Sequence, residues 1–201
     1  MTKYHECVEA YDPYKNISPE VADAADDLLR LVGVNTLDSQ HTKMTPYRLA
    51  HYLQHWTRPK ADLRFTVFDN VDPKIDQMVC VSPIPFWACC SHHMLPFFGT
   101  VYFGYIPNEK LVGLSMVPLL IKEFCARPWL QEILTSEIAN LFEEKLDPVG
   151  LGVCTVAMHT CQMLDLQGPP VPQMMFSEMR GTMRDDPSAR VEFMRLTNIG
   201  D

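Results

Sequence analysis

Two short clusters, Cys90-Ser91-His92-His93 and His159-Thr160-Cys161, stand far apart in this 201-residue chain. Together they hold two thiols and three imidazoles, enough to bind a zinc ion and leave side chains over for acid–base work. Zinc favours thiolate and imidazole in four-coordinate sites, and a catalytic zinc keeps an open position beside its protein ligands. A fold that uses both clusters must bring two distant segments to one point. Cys90 and His93 are three residues apart, so one turn of chain can aim both at one ion. Cys161 can supply a third bond from a neighbouring strand end, which leaves His92 and His159 beside the metal. An imidazole that titrates near neutrality suits general acid–base catalysis. Cys-x-x-His is a weaker signal than paired Cys-x-x-Cys knuckles, and a structural zinc with four protein ligands is the competing reading. Cys7, Cys80, Cys125 and Cys154 lack ligand-like neighbours and read as core or surface thiols.

The rest of the chain is compatible with one ordinary globular core. Hydrophobic residues make up 47% and charged residues 21% of the sequence. The expected organisation is an N-terminal arm and helices over residues 1–60, then a main domain over 61–201. A formal charge of −8 argues against a protein that grips nucleic-acid phosphates. No apolar run is long enough to span a membrane, so no membrane association is expected. The first residues lack the apolar core of a signal peptide, and seven irregularly spaced cysteines read as reduced thiols. The expected compartment is the cytoplasm.

Ser18-Pro19-Glu20 predicts a helix start with Ser18 as N-cap, followed by Val21, Ala24, Ala25, Leu28, Leu31 and Val32 at helical spacing. A second helix is expected from Thr45-Pro46, with Leu49, Leu53 and Trp56 on one face. The period then changes. Segments 64–68, 77–81, 100–106 and 111–114 are short, rich in Val, Phe and Tyr, and bounded by turn residues, which predicts strands. A helix is expected after Ser115 and another from Pro128 to about Leu146, with a buried stripe of Leu130, Ile133, Leu134, Ile138, Leu141, Phe142 and Leu146. Segment 151–158 reads as a strand leading into the second cluster. Residues 164–187, rich in proline and methionine, carry no clear pattern, and 188–195 reads as a last helix or strand. Helices and mostly antiparallel strands in this order predict an α+β fold.

With these residues in view, the chain resembles the GTP cyclohydrolase I family. Cys90-Ser91-His92-His93-Met94-Leu95-Pro96-Phe97-Phe98-Gly99 is similar to that family's Cys-Glu-His-His…Pro-Phe-x-Gly segment. The similarity continues through Tyr105-Ile106-Pro107, Gly113-Leu114-Ser115, Arg127-Pro128 with Gln131-Glu132, His159-Thr160-Cys161 and Arg190-Val191-Glu192-Phe193. Thr45-Pro46-Tyr47-Arg48 resembles the family's Thr-Pro-x-Arg helix. The resemblance implies a tunnelling fold, an antiparallel sheet with helices packed on one face, assembled into ring-like homo-oligomers, commonly decamers, with sites between subunits. It implies Cys90, His93 and Cys161 as zinc ligands and His92 and His159 as acid–base groups. Glu132, with Gln131 beside it and Ser115 nearby, would bind a guanine-type substrate. A carboxylate facing two parallel N–H donors makes a bidentate, charge-assisted contact suited to a 2-amino-4-oxo ring. The implied chemistry is attack at C8 of the purine by metal-activated water, ring opening, release of formate and closure to dihydroneopterin triphosphate.

The chain departs from the family in one consistent way. After Gly-Leu-Ser the family carries Lys, and three residues on an Arg; here these are Met116 and Leu119. Past the second metal cysteine it carries Arg-Gly, and here Asp165-Leu166 stand. These three cations form the family's triphosphate clamp. The Thr- and Ser-rich loop that should follow is replaced by Pro169-Pro170-Val171-Pro172-Gln173-Met174-Met175-Phe176, and Ser91 replaces a Glu. Charged hydrogen bonds contribute roughly 1.5–3 kcal/mol each, so losing three cations and gaining an anion costs several kcal/mol of triphosphate binding. Substitute cations would have to come from Arg180, Arg184, Lys122 or Arg127; Arg180, in the rewritten loop, is the best placed, and Lys122 reads as a surface charge. Three functions compete: a zinc hydrolase opening a guanine-type ring with altered phosphate recognition, an ordinary GTP cyclohydrolase I with a re-engineered clamp, and a catalytically silent oligomeric ligand-binding paralogue.

Overall fold

The structure, a computed structural model, describes residues 14–35, 40–57, 64–167 and 172–199. The chain divides into two compact units, Met1–Arg58 and Pro59–Asp201. In the first, Ser18 caps helix α1 (Pro19–Leu31) by accepting a hydrogen bond from the Val21 amide at 3.4 Å. Helix α2 (Thr45–Thr57) packs against it through Ala50, beside Ala22 and Ile17. Of the apolar residues expected along α1, Ala25 is buried, whereas Val21, Leu28, Leu31 and Val32 are exposed; Ala22 joins Ala25 on the inward side.

The second unit is built on a five-stranded sheet in the order β5-β2-β3-β6-β7, comprising β2 (Val79–Cys90), β3 (Pro96–Ile106), β5 (Pro128–Trp129), β6 (Gly150–His159) and β7 (Met174–Gly181). All pairings are antiparallel except the short parallel contact of β5 with Cys89 and Cys90. A separate ribbon joins β1 (Val67–Asp69) to β4 (Lys110–Val112). Period-two alternation sends Val101, Phe103, Tyr105, Leu151 and Val153 to one face. Helices α3 (Met116–Cys125) and α4 (Gln131–Leu146) cover that face with Val117, Ile121, Leu134, Ile138 and Phe142. Each such side chain, fully buried, contributes about 1.5–3 kcal/mol. This is the expected α+β, tunnelling-type arrangement.

Two local expectations are corrected, and two segments left open by the sequence receive an assignment. The strand expected at 77–81 runs on to Cys90, and the first metal cluster begins at its end. Among its described residues, the unassigned 164–187 region takes in the end of a short helix α5 (Thr160–Asp165), strand β7 and a single-turn helix α6 (Thr182–Asp185). The helix expected from Pro128 begins at Gln131, because Pro128 and Trp129 pair with β2. Residues 188–195 lie in helix α7 (Pro187–Thr197), which packs on the sheet face opposite α3 and α4. Phe193 sits there against Gly104, where a Cβ would come within 2.8 Å of its ring. The close approach of α7 therefore requires a residue without a side chain at that point of β3.

Candidate metal centre and substrate cleft

The first cluster is shaped by a tight turn between β2 and β3. The Cys90 amide donates to Leu95 O at 2.7 Å and the Met94 amide to Cys90 O at 2.8 Å, with Met94 in the left-handed region at φ 53°. The Ser91 amide donates to Trp129 O at 3.0 Å, tying the turn to β5. This places the Cys90 sulfur 3.6 Å from His93 Nδ1 and sets the His92 and His93 rings edge to face, 6.0 Å apart.

The second cluster stands where β6 ends and α5 begins. His159 is the register partner of Phe97, so it returns to the start of β3 beside the first cluster. The Thr160 hydroxyl donates to Pro96 O at 2.6 Å and secures that junction. Ligand atoms of Cys90, His159 and Cys161 lie within 4.8 Å of one another, as do those of Cys90, His92 and His93. Donors around a four-coordinate zinc stand roughly 3.5–4 Å apart, so soft thiol and imidazole donors at this spacing fit zinc. The expected ligand set of Cys90, His93 and Cys161 draws on both groups through the shared Cys90.

Burial and neighbours act differently on the two halves. Burial lowers the pKa of His159, and the nearby Glu132 carboxylate pulls it back up. The Cys161 thiol is raised, first by burial and then by the adjacent Cys90.

Both clusters open into one cleft of about 280 Å³, whose lining also includes Trp129, Gln131, Glu132 and Asp165. Glu132 stands in the first turn of α4, where the positive end of the helix favours a carboxylate. Gln131 is 1% exposed. Its Nε2 donates to Thr155 O, Thr155 Oγ1 and Met174 O at 3.2, 3.0 and 3.0 Å, and its Oε1 lies 2.9 Å from His159 Nε2. In the chain by itself every hydrogen-bonding atom of the Gln131 carboxamide has a partner within the protein.

Other expected site residues stand elsewhere. Ser115 is exposed at the start of α3 and does not line the cleft. Arg180, on β7, pairs with Glu178 at 3.0 Å and Glu143 at 3.5 Å and donates to Asn140 Oδ1 at 3.0 Å. Within the chain its charge is paired with these carboxylates, and it does not line the cleft. Arg127 stacks over Phe124 and Trp129, 5.4 and 4.9 Å from their ring centres. At the divergent positions, Met116 packs against the sheet core, Leu119 is exposed and Asp165 lines the cleft. Among the described residues that line it, the cleft holds two carboxylates and no Lys or Arg. Pro169, Pro170 and Val171 of the rewritten loop, and the N-terminal arm through residue 13, lie outside the described residues.

Thr155, Thr135 and Trp129 belong to the site but were not among the residues singled out from sequence. Thr135 follows Gln131 by one helical turn, and that spacing is a usable signal. Thr155 on β6 meets Gln131 only through the tertiary fold, and nothing local marks it.

The family model for GTP cyclohydrolase I matches residues 21–198. The GTP cyclohydrolase 1 of Aquifex aeolicus (strain VF5) is 36% identical over 166 residues, covering 79% of this chain and 85% of the relative. That of Helicobacter pylori (strain G27) is 37% identical over 161 residues, covering 77% and 87%. The human GTP cyclohydrolase 1 is 33% identical over 180 residues, covering 89% and 72%. Among solved structures, an archaeosine synthase QueF-Like in the apo form aligns with a TM-score of 0.42 at 13% identity, covering 52% of this chain and 93% of its own.

Proposed function

Because the chain belongs to the GTP cyclohydrolase I family, we propose that it is a zinc-dependent hydrolase that opens the imidazole ring of a guanine-type nucleotide or nucleoside at C8, with altered phosphate recognition. The observation that carries this reading is the gathering of Cys90, His92, His93, Glu132, His159 and Cys161 around one cleft. Cys90, His93 and Cys161 would hold the metal. When bound, zinc would supply Lewis acidity and a nucleophilic water near neutral pH.

The chain's own residues do the rest. Glu132 accepts two hydrogen bonds from the N1–H and 2-amino edge of the base and so fixes the ring's orientation. His92 and His159 exchange protons with the ring nitrogens and the attacking water as the C8–N bond breaks. Trp129, Leu130 and Met174 form apolar walls that limit bulk water. Asp165, at the position where the family has a phosphate-binding Arg, accepts hydrogen bonds from a sugar hydroxyl and repels a polyphosphate. Ser115 would serve the cleft of a neighbouring subunit in the ring-like homo-oligomer, a decamer by resemblance, that the family implies.

The test is mass spectrometry of products after zinc-loaded protein is incubated with guanosine, GMP, GDP and GTP. Gain of water, or gain of water with loss of formate, from the less phosphorylated compounds is the expected result. Efficient conversion of GTP alone to dihydroneopterin triphosphate would mean an ordinary enzyme of the family. No mass change with any of them would mean a silent binding paralogue.

A further inference from the structure

We infer that Gln131 is a positioning residue: its carboxamide holds the His159 imidazole in the Nε2–H tautomer and leaves Nδ1 as the ring's one lone pair. The argument is a matter of donors and acceptors. Gln131 Nε2 faces Thr155 O, Thr155 Oγ1 and Met174 O, two of which are backbone carbonyls that can only accept. An amide turned the other way would press an oxygen against two carbonyl oxygens and leave them unpaired in a buried site. The amide nitrogen therefore belongs where it stands, and Oε1 is the atom 2.9 Å from His159 Nε2. An amide oxygen only accepts, so the hydrogen of that bond sits on the imidazole.

Two further hydroxyls lock the arrangement. The Thr135 hydroxyl donates to the Gln131 carbonyl at 2.8 Å. With its hydrogen so used, it can only accept from Thr155 Oγ1, 2.8 Å away. The Thr155 hydroxyl donates there and accepts from Gln131 Nε2 at 3.0 Å. The circuit Gln131 side chain, Thr155, Thr135, Gln131 backbone is closed, and the two Gln131 Nε2 hydrogens are shared among three acceptors. Gln131, Thr135 and Thr155 are all essentially inaccessible to solvent, so water does not compete. The stack of His159 on Phe97 holds the ring in plane, and the Gln131 bond fixes its rotation within that plane. His159 thus meets the cleft with a predetermined tautomer rather than an equilibrium of two.

The tautomer assignment stands on hydrogen bonds alone, whereas its consequence for turnover rests on the ring-opening reading. Two measurements keep them apart. Neutron diffraction from deuterium-exchanged crystals of the full zinc-loaded chain at pH 8 should place deuterium on His159 Nε2, directed at Gln131 Oε1, and none on Nδ1. Deuterium on Nδ1 overturns the inference, whether or not any guanine compound is turned over. For turnover, Gln131→Met keeps the volume and removes the acceptor. With the substrate found by the product screen, kcat should fall about a hundredfold, the scale of a misdirected acid–base group. KM and zinc content should stay within about twofold. A raised KM with unchanged kcat would instead make Gln131 a substrate contact and overturn the positioning role. Because Gln131→Met orphans buried carbonyls, Thr155→Val is the companion variant. It opens the circuit but leaves the imidazole bond, and it should lower kcat by less than Gln131→Met; an equal or larger loss overturns the proposed chain of support.

Discussion

The imidazole of His159 lies flat on the ring of Phe97, with centroids 4.4 Å apart and planes inclined by 4°. The two residues are register partners across β3 and β6, so sheet pairing itself sets the stack. Phe97 is fully buried and meets Phe86 edge to face at 5.9 Å, which anchors the platform in the core. Phe97→Leu should cost about 1 kcal/mol or somewhat more of stability, since apolar volume is largely kept, while kcat falls because the flat support is gone. Phe97→Ala should cost about 3–5 kcal/mol. Denaturant unfolding beside steady-state kinetics separates the effects; a Leu variant with full kcat would show that the stack does not position His159.

Glu132, in the first turn of helix α4, is one of the two carboxylates among the described residues that line the cleft. In the proposed base contact it would accept two charge-assisted hydrogen bonds, each worth roughly 1.5–3 kcal/mol, so Glu132→Ala should lower kcat/KM by about a hundredfold or more. Zinc content, read by elemental mass spectrometry, should not change, because Glu132 is not in either group of metal-capable side chains. Normal turnover by this variant would refute the assigned base pocket.

Sequence revealed the site's chemistry more readily than the frame that holds it. Cys90 and His93 announce themselves by local spacing, and the buried stripe of α4 follows helical period through Leu134, Ile138, Phe142 and Leu146. Strand β2 was hidden by Pro83 and Pro85, which normally demote a strand. Among the described residues β2 pairs along most of its length only with β3, and the register slips between Val81 and Ile84, so prolines are accommodated on an open, bulged edge. Strand β7 was hidden by methionines, which carry little strand preference. The role of Gln131 depends on Thr155 and Met174, brought to it by β6 and β7. No window of sequence around Gln131 contains that information.

The raised thiol of Cys161 gives metal binding a pH dependence of definite sign. Burial and the neighbouring Cys90 keep it protonated at neutral pH in the metal-free protein. Zinc binds the thiolate, so uptake must release that proton. Affinity should therefore rise with pH, by about tenfold per unit for each proton released, until the thiol's own raised pKa is passed. Competition against a chromophoric chelator between pH 6.5 and 8.5 measures the slope. Flat affinity over that range would exclude Cys161 as a ligand. Stripping the metal with a chelator should abolish activity, and adding zinc back should restore it.

Asp165 tests whether the cleft's charge selects the substrate. It lines the cleft with Glu132, and among the described lining residues no Lys or Arg offsets the pair. Asp165→Arg reverses one charge where a polyphosphate would pass. A single new charge-assisted contact is worth roughly 1.5–3 kcal/mol, so KM for GTP should fall at least about tenfold relative to the parent. KM for guanosine should rise, because the proposed acceptor for its sugar hydroxyl would be lost. The measurement is a ratio of kcat/KM values for the two compounds in parent and variant. If the ratio is unmoved, Asp165 does not face the substrate, and the proposed selection against phosphate loses its residue.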